Sequence, residues 1–176
     1  MNVRVWELGS FPPKLAATLL ERLPPPFAGG EVAGERLPTG FAYDRTRAQF
    51  DAVRLLAEIP PAEPGWLHLA VTGADLFLPA LTYVFGVSAL GLGRSVVSVF
   101  RLQPEFDGPD AERLLHRRLL VEAVHELGHS MGLVHCPVSD CAMRRSAWVE
   151  AVDLKQPAYC AACLELCRGG VPVLPE

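Results

Sequence analysis

His125-Glu126-Leu127-Gly128-His129-Ser130-Met131-Gly132-Leu133-Val134-His135 is the stretch on which the fold turns. It has the form HExxHxxGxxH. On a helix, side chains four positions apart lie on one face, so His125 and His129 project together and can share a metal ion. Glu126 is rotated by roughly 100° from His125. That takes it away from the same ion but leaves it within reach of a water beside it, where a general base is wanted. A continued helix would carry His135 about 9 Å beyond His129 and to the wrong side. A third imidazole can join only if the chain turns back. Gly132 suits that turn, because glycine takes the left-handed conformation at a helix end without a Cβ clash. Three protein ligands leave the fourth tetrahedral position to water, the mark of a catalytic rather than a structural zinc. A bare HExxH also occurs on surface helices. Four metal-chemistry residues plus the glycine that geometry demands make the longer string far more specific.

Working outward, the periodicity predicts a long helix over 109–132. Asp107 or Asp110 is the expected cap and Pro109 sits in the first turn. Leu120, Val124, Leu127 and Met131 form a core-facing stripe, with the histidines turned toward a cleft. Upstream, strands are expected over 2–8, 31–37 and 66–71, the last of them central. Two more, over 81–88 and 95–102, flank a Gly91-Leu92-Gly93 loop. A helix over 13–23 is opened by Pro12-Pro13 and ended by Pro24-Pro25-Pro26. Another is expected over 44–58, capped by Asp44 or Thr46, with Phe50, Val53, Leu56 and Ala57 inward. Downstream lies a short irregular tail with one small helix near 159–168. This order implies an α/β (α+β) protein, a mixed sheet with helices packed on it. The expected organisation is one catalytic domain over 1–176. Residues 1–132 form its N-terminal subdomain and 133–176 a C-terminal, zinc-stabilised subdomain.

Half of the 176 residues are hydrophobic and a fifth are charged, the composition of a globular protein with a real core. A net charge of −4 offers no basic field for nucleic acid. Gly, Pro or charge interrupts every apolar stretch before it reaches membrane-spanning length. The first residues show no apolar leader. The expectation is a cytoplasmic protein, a monomer, with neither a nucleic-acid nor a membrane partner.

All five cysteines follow residue 135. In a cytoplasmic protein such clustering favours metal over disulfides. Cys136 and Cys141 bracket a short loop, and Cys160-Ala161-Ala162-Cys163 is a CxxC knuckle. Two such pairs meet the requirement of a closed four-cysteine zinc site. Four buried free thiols, or disulfides, are the alternative readings. Cys167 shares a helix face with Cys163 and is open to three readings: a substitute ligand, a buried thiol or a free one. Neighbouring side chains in an extended segment point opposite ways. His135 can therefore serve one ion and Cys136 another, and a structural zinc would hold His135 in place.

HExxHxxGxxH followed at once by cysteine, then Cys141-Ala142-Met143, then Cys160-Ala161-Ala162-Cys163, resembles the archaemetzincins. The run from Phe85 through Gly86-Val87-Ser88-Ala89-Leu90-Gly91-Leu92-Gly93-Arg94 to Ser98 is similar to that family too. So, more loosely, is Val71-Thr72-Gly73-Ala74-Asp75-Leu76. The resemblance implies a metzincin-like zincin, with a twisted mixed sheet, two long helices and a small lower part carrying a zinc-finger-like site. It implies two Zn2+ per chain. His125, His129 and His135 would bind the catalytic one, and Cys136, Cys141, Cys160 and Cys163 the structural one. Glu126 would be the base, and Met143 the methionine of a tight turn beneath the metal.

The function so implied is hydrolysis of peptide bonds, on short peptides, with aminopeptidase action as one form of it. An extended peptide substrate would add to the sheet edge near 84–89. The alternative is a zinc-stabilised peptide-binding or chaperone-like module with a latent site. Tyr159 is a candidate second electrophile, although packing beside the knuckle explains it as well. Glu122, one turn before His125, is a candidate to buffer or orient that imidazole, with a surface pair to Arg118 at i, i+4 as the favoured reading. His68 reads as a core histidine and Asp75 as a loop brace. His116 has no evident partner.

Overall fold

The computed structural model describes residues 1–9 and 14–169. Pro12 and Pro13, expected to open the first helix, lie outside them, as does the end of the tail beyond residue 169. In chain order come β1 (Asn2–Leu8), α1 (Leu15–Arg22), β2 (Gly29–Leu37), β3 (Tyr43–Asp44), β4 (Gln49–Asp51) and α2 (Ala52–Glu58). Then follow β5 (Trp66–Thr72), β6 (Leu76–Phe77), β7 (Gly86–Ala89), β8 (Arg94–Ser98), α3 (Pro109–Ser130), α4 (Val149–Asp153) and α5 (Ala161–Gly169).

The main sheet has five strands in the order β2-β1-β5-β8-β7. Its β1/β2, β1/β5 and β5/β8 pairs are parallel, while β7 runs antiparallel to β8. The sheet is therefore mixed, β5 is central, and β7 lies at an edge. Alternation decides which face each residue serves. Val3, Val5, Leu67, Leu69, Val71 and Val97 join the larger core with α1 and α3. Trp6, Leu8, Ala70 and Val96 join a second core under α2. Helices thus cover both faces, and β5 is buried on both sides as a central parallel strand should be.

The larger core runs without a break from Val3 and Leu15 to Met143, Val152 and Cys163. The segment after α3 therefore packs on the same core as the sheet, and α3 is sandwiched between them. Every residue from Leu119 to Leu127 except Leu120 is buried, so the second half of α3 is enclosed all round rather than along one stripe. Met131 is half-buried and packs against the core, as expected of it.

Several local expectations need correction. Among the described residues only α3, at 22 residues, is a long helix. The second long helix implied by the resemblance is replaced by shorter pieces, with α1 at 8 residues and α2 at 7. The helix expected over 44–58 begins only at Ala52. The Asp44 side chain instead accepts from the backbone N–H groups of Thr46 and Arg47 in the turn between β3 and β4. Asp51 is the true cap, accepting from Val53 and Arg54. Leu56 faces inward as expected, but Val53 and Ala57 are exposed, and Ala52 and Leu55 face inward in their place. β8 stops at Ser98, and a short 3-10 turn over Phe100–Leu102 follows it. At α3 the N-cap is Gly108 with no side-chain cap bond, so neither Asp107 nor Asp110 caps it, while Pro109 stands at the start. No helix of the described residues is long and apolar enough to cross a membrane.

Candidate active site

α3 ends where the chemistry begins. Gly132 adopts φ +97°, the left-handed conformation that reverses the chain and that a β-carbon would oppose. Its N–H donates to His129 O at 2.8 Å, and Leu133 N–H donates to Gly128 O at 2.9 Å. The returning chain brings His135 back beside the other two imidazoles. The ring centroids of His125 and His129 lie 4.6 Å apart, those of His125 and His135 5.4 Å, and those of His129 and His135 4.9 Å. One ring nitrogen from each lies within 4.8 Å of the others.

The donor set fits zinc. His125 Nδ1 donates to Ala142 O at 2.7 Å and His129 Nδ1 donates to Leu133 O at 2.7 Å. Both tautomers are thereby set with the Nε2 lone pair free. The two Nε2 atoms are 3.2 Å apart. At a Zn–N length of about 2.0–2.1 Å, tetrahedral donors sit about 3.3 Å apart. Burial pushes the pKa of His125 well down and those of His129 and His135 down as well, which keeps all three neutral, as ligands must be.

Glu126 lies on the cleft floor, almost fully buried. Ser88 Oγ donates to its Oε2 at 2.5 Å and also contacts Glu126 O at 2.8 Å. Gly86 leaves the room it needs, since a β-carbon there would meet Glu126 Oε1 at 2.6 Å. Burial pushes the carboxyl up to about 8, against the opposing pull of the Ser88 hydrogen bond. Above these residues opens a cleft of about 570 Å³, walled by the 81–88 segment on one side and by Val134, His135 and Arg145 on the other. Ser88 and Gly86 had no assigned role in the sequence. They stood only within the Phe85–Ser98 run, and their place on the strand facing α3 gives them one.

The second cluster also assembles. Cys136, Cys141, Cys160 and Cys163 bring their sulfurs within 4.8 Å of one another. Cys136 Sγ and Cys160 Sγ are 3.8 Å apart, and Cys141 Sγ and Cys163 Sγ 3.9 Å. A tetrahedron with Zn–S of about 2.3 Å has sulfurs about 3.8 Å apart. All five cysteines are free thiols. Cys167 stands outside the cluster, packs against the core and lines a separate cavity.

Residues 64–168 match the profile of Peptidase family M54. The chain belongs to this family. It is 40% identical over 126 residues to the archaemetzincin of Methanocaldococcus jannaschii, covering 71% of this chain and 69% of that protein. To the archaemetzincin of Haloarcula marismortui it is 37% identical over 133 residues, covering 73% and 76%. Among solved structures it is similar to the archaemetzincin of Archaeoglobus fulgidus, with a TM-score of 0.81 and 32% identity over 94% of this chain and 99% of that one. The archaemetzincin structure from Methanopyrus kandleri gives 0.80 and 30%, over 97% and 95%. Like its family, this M54 peptidase is a zinc metallopeptidase with the mixed α/β architecture its sequence implies.

Around the M54 site, Met143 is fully buried beneath the histidine helix. A β-carbon on Gly128 would meet its Sδ at 2.2 Å and Tyr159 Cε1 at 3.2 Å. Gly128→Ala is therefore expected to destabilise the protein by about 1–3 kcal/mol through overpacking. A thermal melt checks this, and an unchanged midpoint would contradict the close packing. Tyr159 is not poised over the cleft. It is buried and its hydroxyl donates to Val124 O at 2.7 Å, so it packs beside the knuckle. Glu122 corrects its expectation as well. It is buried, not at the surface, and pairs with Lys155 at 2.6 Å. Arg118 pairs instead with Asp153 at 2.7 Å. His68 is a satisfied core residue, with Nδ1 donating to Pro60 O at 2.9 Å. Asp75 braces its loop by accepting from Arg101 and Gln49. His116 lines a shallow recess away from the site.

Proposed function

We propose that Glu126 is the general base of this metallopeptidase and that its substrates are short peptides bound in extended form along β7. The observation that carries the reading is the convergence of three imidazoles, two of them with Nδ1 turned to backbone carbonyls, beside the Glu126 carboxyl group that Ser88 holds against the cleft. His125, His129 and His135 would hold the catalytic zinc, and Cys136, Cys141, Cys160 and Cys163 a structural one, giving two per chain within a single catalytic domain. A zinc held by these histidines would supply the positive charge that acidifies a water and polarises the scissile carbonyl.

The chain's own residues do the rest. Among the described residues β7 pairs with β8 alone, so its other edge is available to add a strand of substrate by backbone hydrogen bonds. The cleft wall next to it would fix the direction of that strand. Glu126 takes the proton of the attacking water and delivers it to the departing amine. Ser88 keeps the carboxylate from turning away between the two transfers. A carboxylate is not needed for metal binding alone, and its buried, hydrogen-bonded setting favours catalysis over a latent binding module.

Digestion of a peptide library with and without a chelator, read by mass spectrometry, tests this. Chelator-sensitive cleavage restored by zinc is expected, concentrated on short peptides. Fragment ends separate aminopeptidase action from internal cleavage. A broad library left uncut by the metal-loaded protein would favour the peptide-binding module instead.

A further inference from the structure

Lys155 follows α4 and is one of only two lysines in the chain. Its side chain is fully buried. Nζ donates to Glu122 Oε1 at 2.6 Å, to Arg144 O at 3.2 Å and to Ala142 O at 3.4 Å. The three ammonium protons thus each have an acceptor. Two of those acceptors are the carbonyls on either side of Met143. One of them, Ala142 O, also accepts from His125 Nδ1 at 2.7 Å. Glu122 stands three positions before His125 on α3, on the same side of the helix. A single buried cation therefore joins the histidine helix to the turn beneath it.

Fold stability gives little reason for a charge here. Burying an ion pair costs desolvation on both partners, and well-packed apolar replacements of similar volume are often neutral or better. An apolar side chain could fill the space, but it could not hold two carbonyls in place. The geometry points to Lys155 as a positioning residue for the catalytic metal site, fixing the Ala142 carbonyl that orients His125, with Glu122 neutralising its charge. This rests on the reading of His125 as a metal ligand. Partners that orient a metal-bound imidazole are typically worth about 10–100-fold in metal affinity.

The test is zinc retention, not turnover. Lys155→Met alone strands the buried Glu122, so the informative variant is Glu122→Leu with Lys155→Met, which removes both charges. Metal-loaded wild type and variant are challenged with chelators of graded strength, and thermal melts are run on the same samples. A His129→Ala protein identifies which release step belongs to the histidine site. The double variant is expected to fold, to keep its cysteine-site zinc, and to release the histidine-site zinc about 10–100-fold more readily. Glu122→Gln, which leaves the buried Lys155 ammonium without its counter-charge, is expected to lower the melting temperature more than the double variant does. Unchanged zinc retention in the double variant overturns the proposal. So does failure of that variant to fold, because the pair would then be a stability element first. If His129→Ala loses no zinc, it is the histidine site itself that fails, an outcome separate from any result on Lys155.

Discussion

Glu126→Gln is expected to lower turnover by about 100- to 10,000-fold, the range typical of a removed general base. Zinc content and melting temperature should stay near those of the wild type. The amide is the same size as the carboxylate and still offers an oxygen to Ser88 Oγ, which now lies 2.5 Å from Oε2. It brings no charge into a site where burial already penalises the ionised form. What it lacks is the capacity to take a proton from water. Turnover on any substrate the wild type cleaves, with metal analysis of the same sample, checks this. Full activity would remove Glu126 from the chemistry. Lost zinc would mean instead that the carboxylate supports the metal site.

Cys163→Ser is expected to abolish activity from a distance. Cys163 is buried on α5 and belongs to the larger core. Its sulfur lies 3.9 Å from that of Cys141, which begins the turn carrying Met143. Cys136 N–H donates to Met143 O at 3.0 Å, and His135 immediately precedes Cys136. The cysteine cluster therefore anchors both the turn below the histidines and the third imidazole. Apparent zinc binding energies in small zinc-finger peptides run to about 10–16 kcal/mol, against total stabilities of about 5–15 kcal/mol for ordinary domains. Losing such an ion should free the segment after α3. Limited proteolysis is then expected to cut between residues 133 and 169, a segment expected to resist in the wild type. A variant that kept its melting temperature and activity would show that the four thiols are merely buried.

What the sequence revealed follows from the range of the interactions involved. The histidine helix, its glycine turn, β1, the central strand and the two cysteine pairs are written in local spacing, and each is found where that spacing puts it. The error over 44–58 has a physical cause. Asp44 bonds the N–H groups two and three residues on, which is the signature of a helix cap and equally of an Asx-turn. Asp51 makes the same pattern and does begin a helix. α4, at five residues, is too short for a periodic signal. Glu122 misleads for a different reason. Its i, i+4 neighbour Arg118 is the local choice, but the helix is enclosed there and the partner comes from 33 residues away. Ser88 meets Glu126 across 38 residues, another long-range pairing that no local pattern announces. The rarity of lysine in an arginine-rich chain is the one hint that Lys155 is special.

Metal analysis is the most direct measurement of the whole account. The purified protein should hold two zinc ions per chain, and His129→Ala should hold one, with the cysteine site still filled. Two ions in His129→Ala, or a wild type that cleaves peptides with no metal at its histidines, would contradict the claim that these imidazoles build the catalytic centre.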